Sequence, residues 1–134
     1  PYCVGSGVGL TPWSPLARGI LAGAYRGGFD KGSTARSSGQ DRQRTESLYR
    51  GANDFAIAQR VVELANRYDR TPAQLAIAWL LTKPGVVAPV VGVSRVQQLT
   101  DLVDATKIEL TDEDVSYLEA LYQPLENLLS FGIS

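Results

Sequence analysis

The sequence contains no histidine, no methionine and a single cysteine, Cys3. Without histidine the chain holds no Ser-His-Asp triad, no Cys-His dyad and no imidazole-ligated zinc. One cysteine permits no internal disulfide and no multi-cysteine metal site, which favours a reducing, cytoplasmic setting. No apolar run approaches the ~18–20 residues that a membrane span needs. Residues 1–10 lack the basic start and long apolar core of a secretion signal. Net charge is −1, so bulk charge gives no case for nucleic acid. A length of 134 residues implies one domain at most.

Charge is unevenly placed. Between Arg18 and Arg50, seven basic residues stand against Asp30, Asp41 and Glu46. Between Asp101 and Glu126, eight acids stand against Lys107 alone. The basic stretch, 17–50, carries six of the glycines and reads as one long irregular loop, with a short helical turn near Ile20–Tyr25. It is either a solvated loop or a segment that closes over a phosphate-bearing ligand.

The remaining segments alternate. Val8–Thr11 is a short β-prone run stopped by Pro12 and Pro15. Residues 53–68 have apolar residues at helical spacing, with Asn53 at the N-cap position. Residues 71–82 form a second helix: Thr71 and Gln74 have capping-box spacing, and Pro72 falls at the first helical position. That helix is apolar nearly all round, so burial is expected. Val86–Val91 has the length and composition of a buried parallel strand, although Pro89 opposes a regular ladder. The turn Gly92–Arg95 leads into a helix over about 96–105. Thr111 then caps a last helix, 112–123, which has acids in its first turn. Residues 124–134 read as a tail.

Strands followed by helices predict an α/β fold with a parallel sheet. Two strands cannot cover four helices, so a fragment of a larger domain is expected. In such folds ligands sit at the C-terminal strand ends. Those ends carry Trp13-Ser14-Pro15-Leu16-Ala17-Arg18-Gly19 and Gly92-Val93-Ser94-Arg95. The second opens a helix, where N–H groups, the Ser94 hydroxyl and the Arg95 guanidinium suit a phosphate. Gln98 and Asp101 follow one and two turns later. A plain helix N-terminus with a solvated arginine gives the same pattern. Trp13 is either a core residue or an aromatic face for a planar ligand. Ser14 has no base in this chain to activate it.

These motifs carry a resemblance. Gly9-Leu10-Thr11-Pro12-Trp13-Ser14-Pro15-Leu16-Ala17-Arg18-Gly19 resembles the seventh-strand motif of aldo-keto reductases. Thr71-Pro72-Ala73-Gln74-Leu75-Ala76-Ile77-Ala78-Trp79-Leu80-Leu81 resembles the helix before the eighth strand. Val90-Val91-Gly92-Val93-Ser94-Arg95-Val96-Gln97-Gln98-Leu99 resembles that strand and its cofactor turn. Leu110-Thr111-Asp112-Glu113 fits the closing segment, and Tyr2-Cys3 the end of the helix before strand seven. The resemblance covers essentially the whole chain, in the family's order.

It implies the C-terminal portion of a (β/α)8 TIM barrel, whose whole takes about 250 residues. It also implies NADP(H) as cofactor and a small-molecule carbonyl compound as substrate. Trp13 falls where the family stacks an aromatic ring on the nicotinamide. Ser14, Leu16, Arg18 and Gly19 fall along the pyrophosphate, and loop 17–50 over it. Gly92, Ser94 and Arg95 fall near the adenosine 2′-phosphate, Gln98 and Asp101 near the adenosine. Leu102 stands where the family often has asparagine, which removes one adenine hydrogen bond. The family's catalytic Asp, Tyr, Lys and His lie on earlier strands, and none is assignable here. The resemblance thus implies a parent NADP(H)-dependent oxidoreductase reducing aldehydes and ketones. This chain would be its cofactor-binding part, and the missing N-terminal barrel, or another copy of the chain, would cover its open edges. No nucleic acid, membrane or metal partner is expected. Two other readings are a non-catalytic NADP(H)-binding subunit, as in potassium-channel β subunits, and an inactive remnant.

Overall fold

The computed structural model describes residues 2–25, 29, 39–49, 51 and 53–124. Among the described residues six helices follow one another: α1 (Tyr2–Gly5), α2 (Gly39–Leu48), α3 (Asp54–Arg67), α4 (Pro72–Leu81), α5 (Val96–Asp104) and α6 (Asp112–Glu119). Short 3-10 turns occupy Ala17–Gly19 and Ala105–Lys107.

The centre is a helical layer of α3, α4 and α6. The sequence builds α4 as its spacing predicts. Thr71 Oγ1 accepts the Gln74 N–H at 3.3 Å, and Gln74 Oε1 accepts the Thr71 N–H at 2.9 Å. Both orphan donors at the helix start are thereby satisfied. Gln74 and Leu75–Ala78 are buried, as expected for a helix with apolar residues on every side. The α3 stripe of Val61, Leu64 and Ala65 packs against Leu75 and Ala76 of α4 and Leu118 of α6. Leu64 and Leu75 are fully buried. Asp114 closes the layer electrostatically: Tyr68 Oη donates to its Oδ2 at 2.5 Å, and Thr111 Oγ1 donates to the same oxygen at 2.9 Å. Arg67 stands 3.5 Å from its other oxygen. Trp79 Nε1 and Lys83 Nζ both donate to Glu119, tying α4 to the end of α6.

Three boundaries differ from expectation. Asn53 does not cap α3 with its side chain. Its Nδ2 reaches the Leu121 carbonyl instead, while Asp54 Oδ2 accepts the Gly51 N–H. The last helix ends at Glu119, not 123, its C-cap N–H returning to Ser116 O. Of the tail, only Pro124 is described; 125–134 lie outside the described residues. Within the expected irregular loop 17–50, residues 39–48 are helical. After Gly39 the run Gln-Asp-Arg-Gln-Arg-Thr-Glu-Ser-Leu holds neither glycine nor proline, and ordinary propensity prevails. Residues 26–28, 30–38 and 50 of that loop lie outside the described residues.

The expected strands are reduced to two parallel contacts, Leu10 with Val86 and Trp13 with Val90, and no continuous strand forms among the described residues. Leu10 N donates to Gly85 O at 2.7 Å, Val87 N to Leu10 O at 3.0 Å and Val90 N to Pro12 O at 2.8 Å. The second segment uses one more residue than the first between the two contacts. Pro12 and Pro89 have no N–H to extend the ladder. The segments approach closely at Gly9, where a Cβ would fall 2.9 Å from Val87 Cγ1. The α/β expectation therefore survives only as a parallel pairing beside a helical layer.

Candidate functional site

The parallel register brings both strand ends to one side of the molecule. Trp13 lies at the end of the first and is 77% exposed, so it is not a core tryptophan. Beyond it the backbone turns sharply. Ser14, Ala17 and Arg18 have φ of 55°, 49° and 56°, left-handed values that side chains other than glycine rarely adopt. Gly19 follows at φ 102°, where glycine is required. Each of the three non-glycine residues costs about 1–3 kcal/mol, and such strain persists only where the surroundings over-determine it. Here Ala17 N bonds Ser14 O at 2.9 Å, Gly19 N bonds Leu16 O at 2.9 Å and Ala24 N bonds Gly19 O at 3.1 Å. Leu16 packs onto the helical core. The helical turn expected near Ile20–Tyr25 is present as successive tight turns, with Ile20 and Tyr25 buried against Ala58 and flanked by Phe29 and Phe55.

Arg18 leaves this loop toward α2. Its Nε donates to Thr45 Oγ1 at 2.9 Å, and Thr45 is fully buried. Tyr49, one turn further on, is half-buried. Burial pushes its phenol pKa up, the nearby Arg18 charge draws it down, and Asp54 pushes it up again. Sequence reasoning missed Thr45 because it placed the whole of 17–50 in an irregular loop. The regular helix-forming run from Gln40 was the available signal.

The second strand end forms a separate group. Gln98 Oε1 collects three donors: Ser94 N at 2.9 Å, Ser94 Oγ at 3.1 Å and Arg95 N at 3.2 Å. A donor set that converges on one oxygen, at the start of a nine-residue helix, matches what an anionic oxygen requires. Asp101 is engaged elsewhere. Its Oδ1 accepts from Gln97 Nε2, and its carbonyl accepts from Gln74 Nε2, both at 2.9 Å. Leu102 is half-buried beside it. Gly92 is exposed, and a Cβ there would meet nothing within 4 Å, so no contact among the described residues demands glycine. The ten predicted positions thus fall into two groups at one end of the strand pair: 13–19, tied to α2 through Arg18, and 92–101, tied to α4 through Asp101.

Other recesses carry less chemistry. A polar cleft of about 640 Å³ is lined by Arg70, Thr71, Gln74, Asp104 and Lys107. Its lysine is already paired with Asp104 at 2.7 Å, and it lacks the apolar walls of a typical ligand pocket. Among the described residues no group of three or more metal-ligating side chains comes together. No helix among them is long and apolar enough to cross a membrane.

The profile of the aldo/keto reductase family matches residues 1–123. A Schizosaccharomyces pombe protein, named as a candidate aryl-alcohol dehydrogenase, is 43% identical over 125 residues, covering 93% of this chain and 34% of that protein. The versiconal hemiacetal acetate reductase of Aspergillus parasiticus is 40% identical over 126 residues, 92% of this chain and 35% of its own. A second S. pombe protein, named as a candidate voltage-gated potassium channel subunit beta, is 31% identical over 124 residues, 90% and 36% respectively. The chain thus spans about a third of the length of the curated relatives it matches.

Proposed function

The chain belongs to the aldo/keto reductase family, and from that premise we propose that it is the cofactor-binding, C-terminal portion of a (β/α)8 barrel that reduces aldehydes and ketones with NADP(H). The observation that carries this reading is the parallel register of Leu10–Trp13 with Val86–Val90, which sets the two candidate loops side by side. In parallel α/β folds that edge is where ligands bind.

The residues suit a dinucleotide. Trp13 offers an exposed flat face to a planar ring. The donors that meet on Gln98 Oε1 can turn to phosphate oxygens, with the Arg95 guanidinium beside them. Arg18 and Gly19 lie on the strained loop, where a pyrophosphate would pass. When bound, the dinucleotide supplies the hydride that converts a carbonyl to an alcohol. The proton for the new hydroxyl comes, on this reading, from a general acid on the preceding part of the barrel.

That preceding part is the proposed partner. Val8, Leu10, Val87 and Val90 along the strand pair, and Val96, Leu99 and Val103 at i, i+3 and i+7 on α5, are exposed large apolar residues. So large an apolar surface marks a face that another element covers. The isolated chain, carrying no assigned proton donor, is expected to show no NADPH-dependent turnover of 4-nitrobenzaldehyde.

The decisive experiment is Arg95→Ala in the full gene product that carries residues 1–134. A charge-assisted bond to the 2′-phosphate is worth about 1.5–3 kcal/mol. NADPH affinity should therefore fall about tenfold or more, with NADH affinity nearly unchanged. Equal losses for both cofactors would make Arg95 structural. The relative named for a potassium-channel subunit supports a second reading, a cofactor-binding subunit without turnover. Saturable NADPH binding by the full gene product, with no reduction of any reactive aldehyde, would select it.

A further inference from the structure

We propose that Thr45 is a positioning residue for the cofactor site: its buried hydroxyl fixes the plane of the Arg18 guanidinium and so aims Arg18 at the pyrophosphate. The inference rests on the role assigned to Arg18 above.

Three observations lead to it. Among the described side chains of α2, residues 42–48, Thr45 alone is buried, and it is completely so. A helix normally presents its apolar residues inward. Here the inward position carries a hydroxyl, although valine has nearly the same volume and would bury more favourably. The hydroxyl is bonded by Arg18 at Nε, 2.9 Å away, from a residue distant in sequence. Nε lies on the stem side of the guanidinium, so a bond there fixes the plane of the group, and with it the directions of the terminal nitrogens. Finally, Arg18 holds φ 56° on the most strained stretch of the described chain, so its side chain leaves a backbone that is itself fixed in an unusual direction. The turn after Thr45 completes the seat: Tyr49 N bonds Thr45 O at 3.0 Å, and the Tyr49 side chain packs with Phe29 and Phe55 against Ile20 and Tyr25. α2 therefore reaches the cofactor loop through the Arg18–Thr45 hydrogen bond.

The test compares Thr45→Ser with Thr45→Ala in the full gene product. Serine loses only the methyl group, and alanine loses the hydroxyl as well, so the difference between them isolates the hydroxyl. Affinity for NADPH and for NADH is read from quenching of tryptophan fluorescence. Thr45→Ala should weaken both cofactors by the same factor, about five- to tenfold, because the pyrophosphate is common to both; Thr45→Ser should stay within about twofold of the parent. Adding Thr45→Ala to Arg18→Ala should cost nothing further. Thr45→Ala binding like the parent while Arg18→Ala binds weakly would overturn the inference and leave the role of Arg18 standing. Equal losses for alanine and serine would reduce Thr45 to packing. No loss on Arg18→Ala would instead remove the premise.

Discussion

The helical layer and the strand-end face of this chain are built to different degrees of completion. In the first, α3, α4 and α6 bury Leu64, Leu75 and Leu118, and their polar side chains find partners within the layer or at its edge: Tyr68 with Asp114, Trp79 with Glu119, Asn53 with Leu121. In the second, Trp13, Val87, Val90 and Val96 stand exposed, and two short segments meet through two contacts. One region satisfies itself; the other leaves large apolar side chains exposed. The contrast sets the exposed apolar side chains beside the candidate residues of the two loops, Trp13 being one of both sets.

Breaking the helical layer should have the largest effect. Leu64→Ala opens a void at a fully buried position and should cost about 2–5 kcal/mol, seen as a lower urea midpoint of the full gene product. Val90→Ala, on the open face, should cost under about 0.5 kcal/mol in the isolated chain; on the reading proposed above, in which a covering element makes Val90 a core residue, it should cost about 1 kcal/mol or more in the full gene product. Equal costs in both settings would mean that nothing covers Val90.

A smaller effect tests the electrostatic closure of the layer. The Tyr68 hydroxyl bonded to Asp114, followed by Thr111 and the Arg67 charge, holds its carboxyl below the ordinary value of 3.8, against the opposing effect of burial. A carboxyl depressed by folding stabilises above its unfolded pKa and loses that contribution as pH falls through the folded one. Stability should thus be level near neutrality and decline below about pH 4. Asp114→Asn should flatten this acid limb and cost about 1–3 kcal/mol at pH 7. An unchanged acid limb in the variant would assign it to other carboxylates.

Much of the helical layer is legible in the sequence. Thr71-Pro72 with Gln74 marks the start of α4, and the run of apolar residues after it announces burial, because capping and periodicity are local physics. Thr111 is legible for the same reason. The limits appear where a distant residue intervenes. Asn53 has the right identity for a cap, but Leu121 offers its amide a carbonyl. The β-prone runs are correctly placed, yet a ladder needs neighbours on both sides, and each segment has one. In the site, the Ser94–Gln98 group is a helix-start pattern and can be read directly. The seat of Arg18 depends on a contact across 27 positions, which no local pattern announces.

The smallest expected effect sharpens the meeting of the two segments. Gly9→Ala places a Cβ within reach of the Val87 methyl groups, which are exposed and can shift. A cost near 1 kcal/mol in the full gene product is expected, roughly the low end for an overpacked contact, with cofactor affinity reduced less than about twofold. A large loss of affinity would show that the spacing of the strand ends is more finely set than the rest of the open face suggests.

The parallel contacts carry a kinetic consequence. Leu10 meets Val86 only after all of α2, α3 and α4 has been traversed. Closing so long a loop sacrifices chain entropy before any hydrogen bond compensates it, and such non-local pairings slow folding. The packing of α3 on α4, two helices separated only by Tyr68–Thr71, has no such delay. The helical layer should therefore assemble first and the strand pair last. The candidate loops, hung from the ends of that pair, then take their final arrangement only in the last step. A ligand added during refolding would find its site late, and would act on the last barrier rather than on the early collapse.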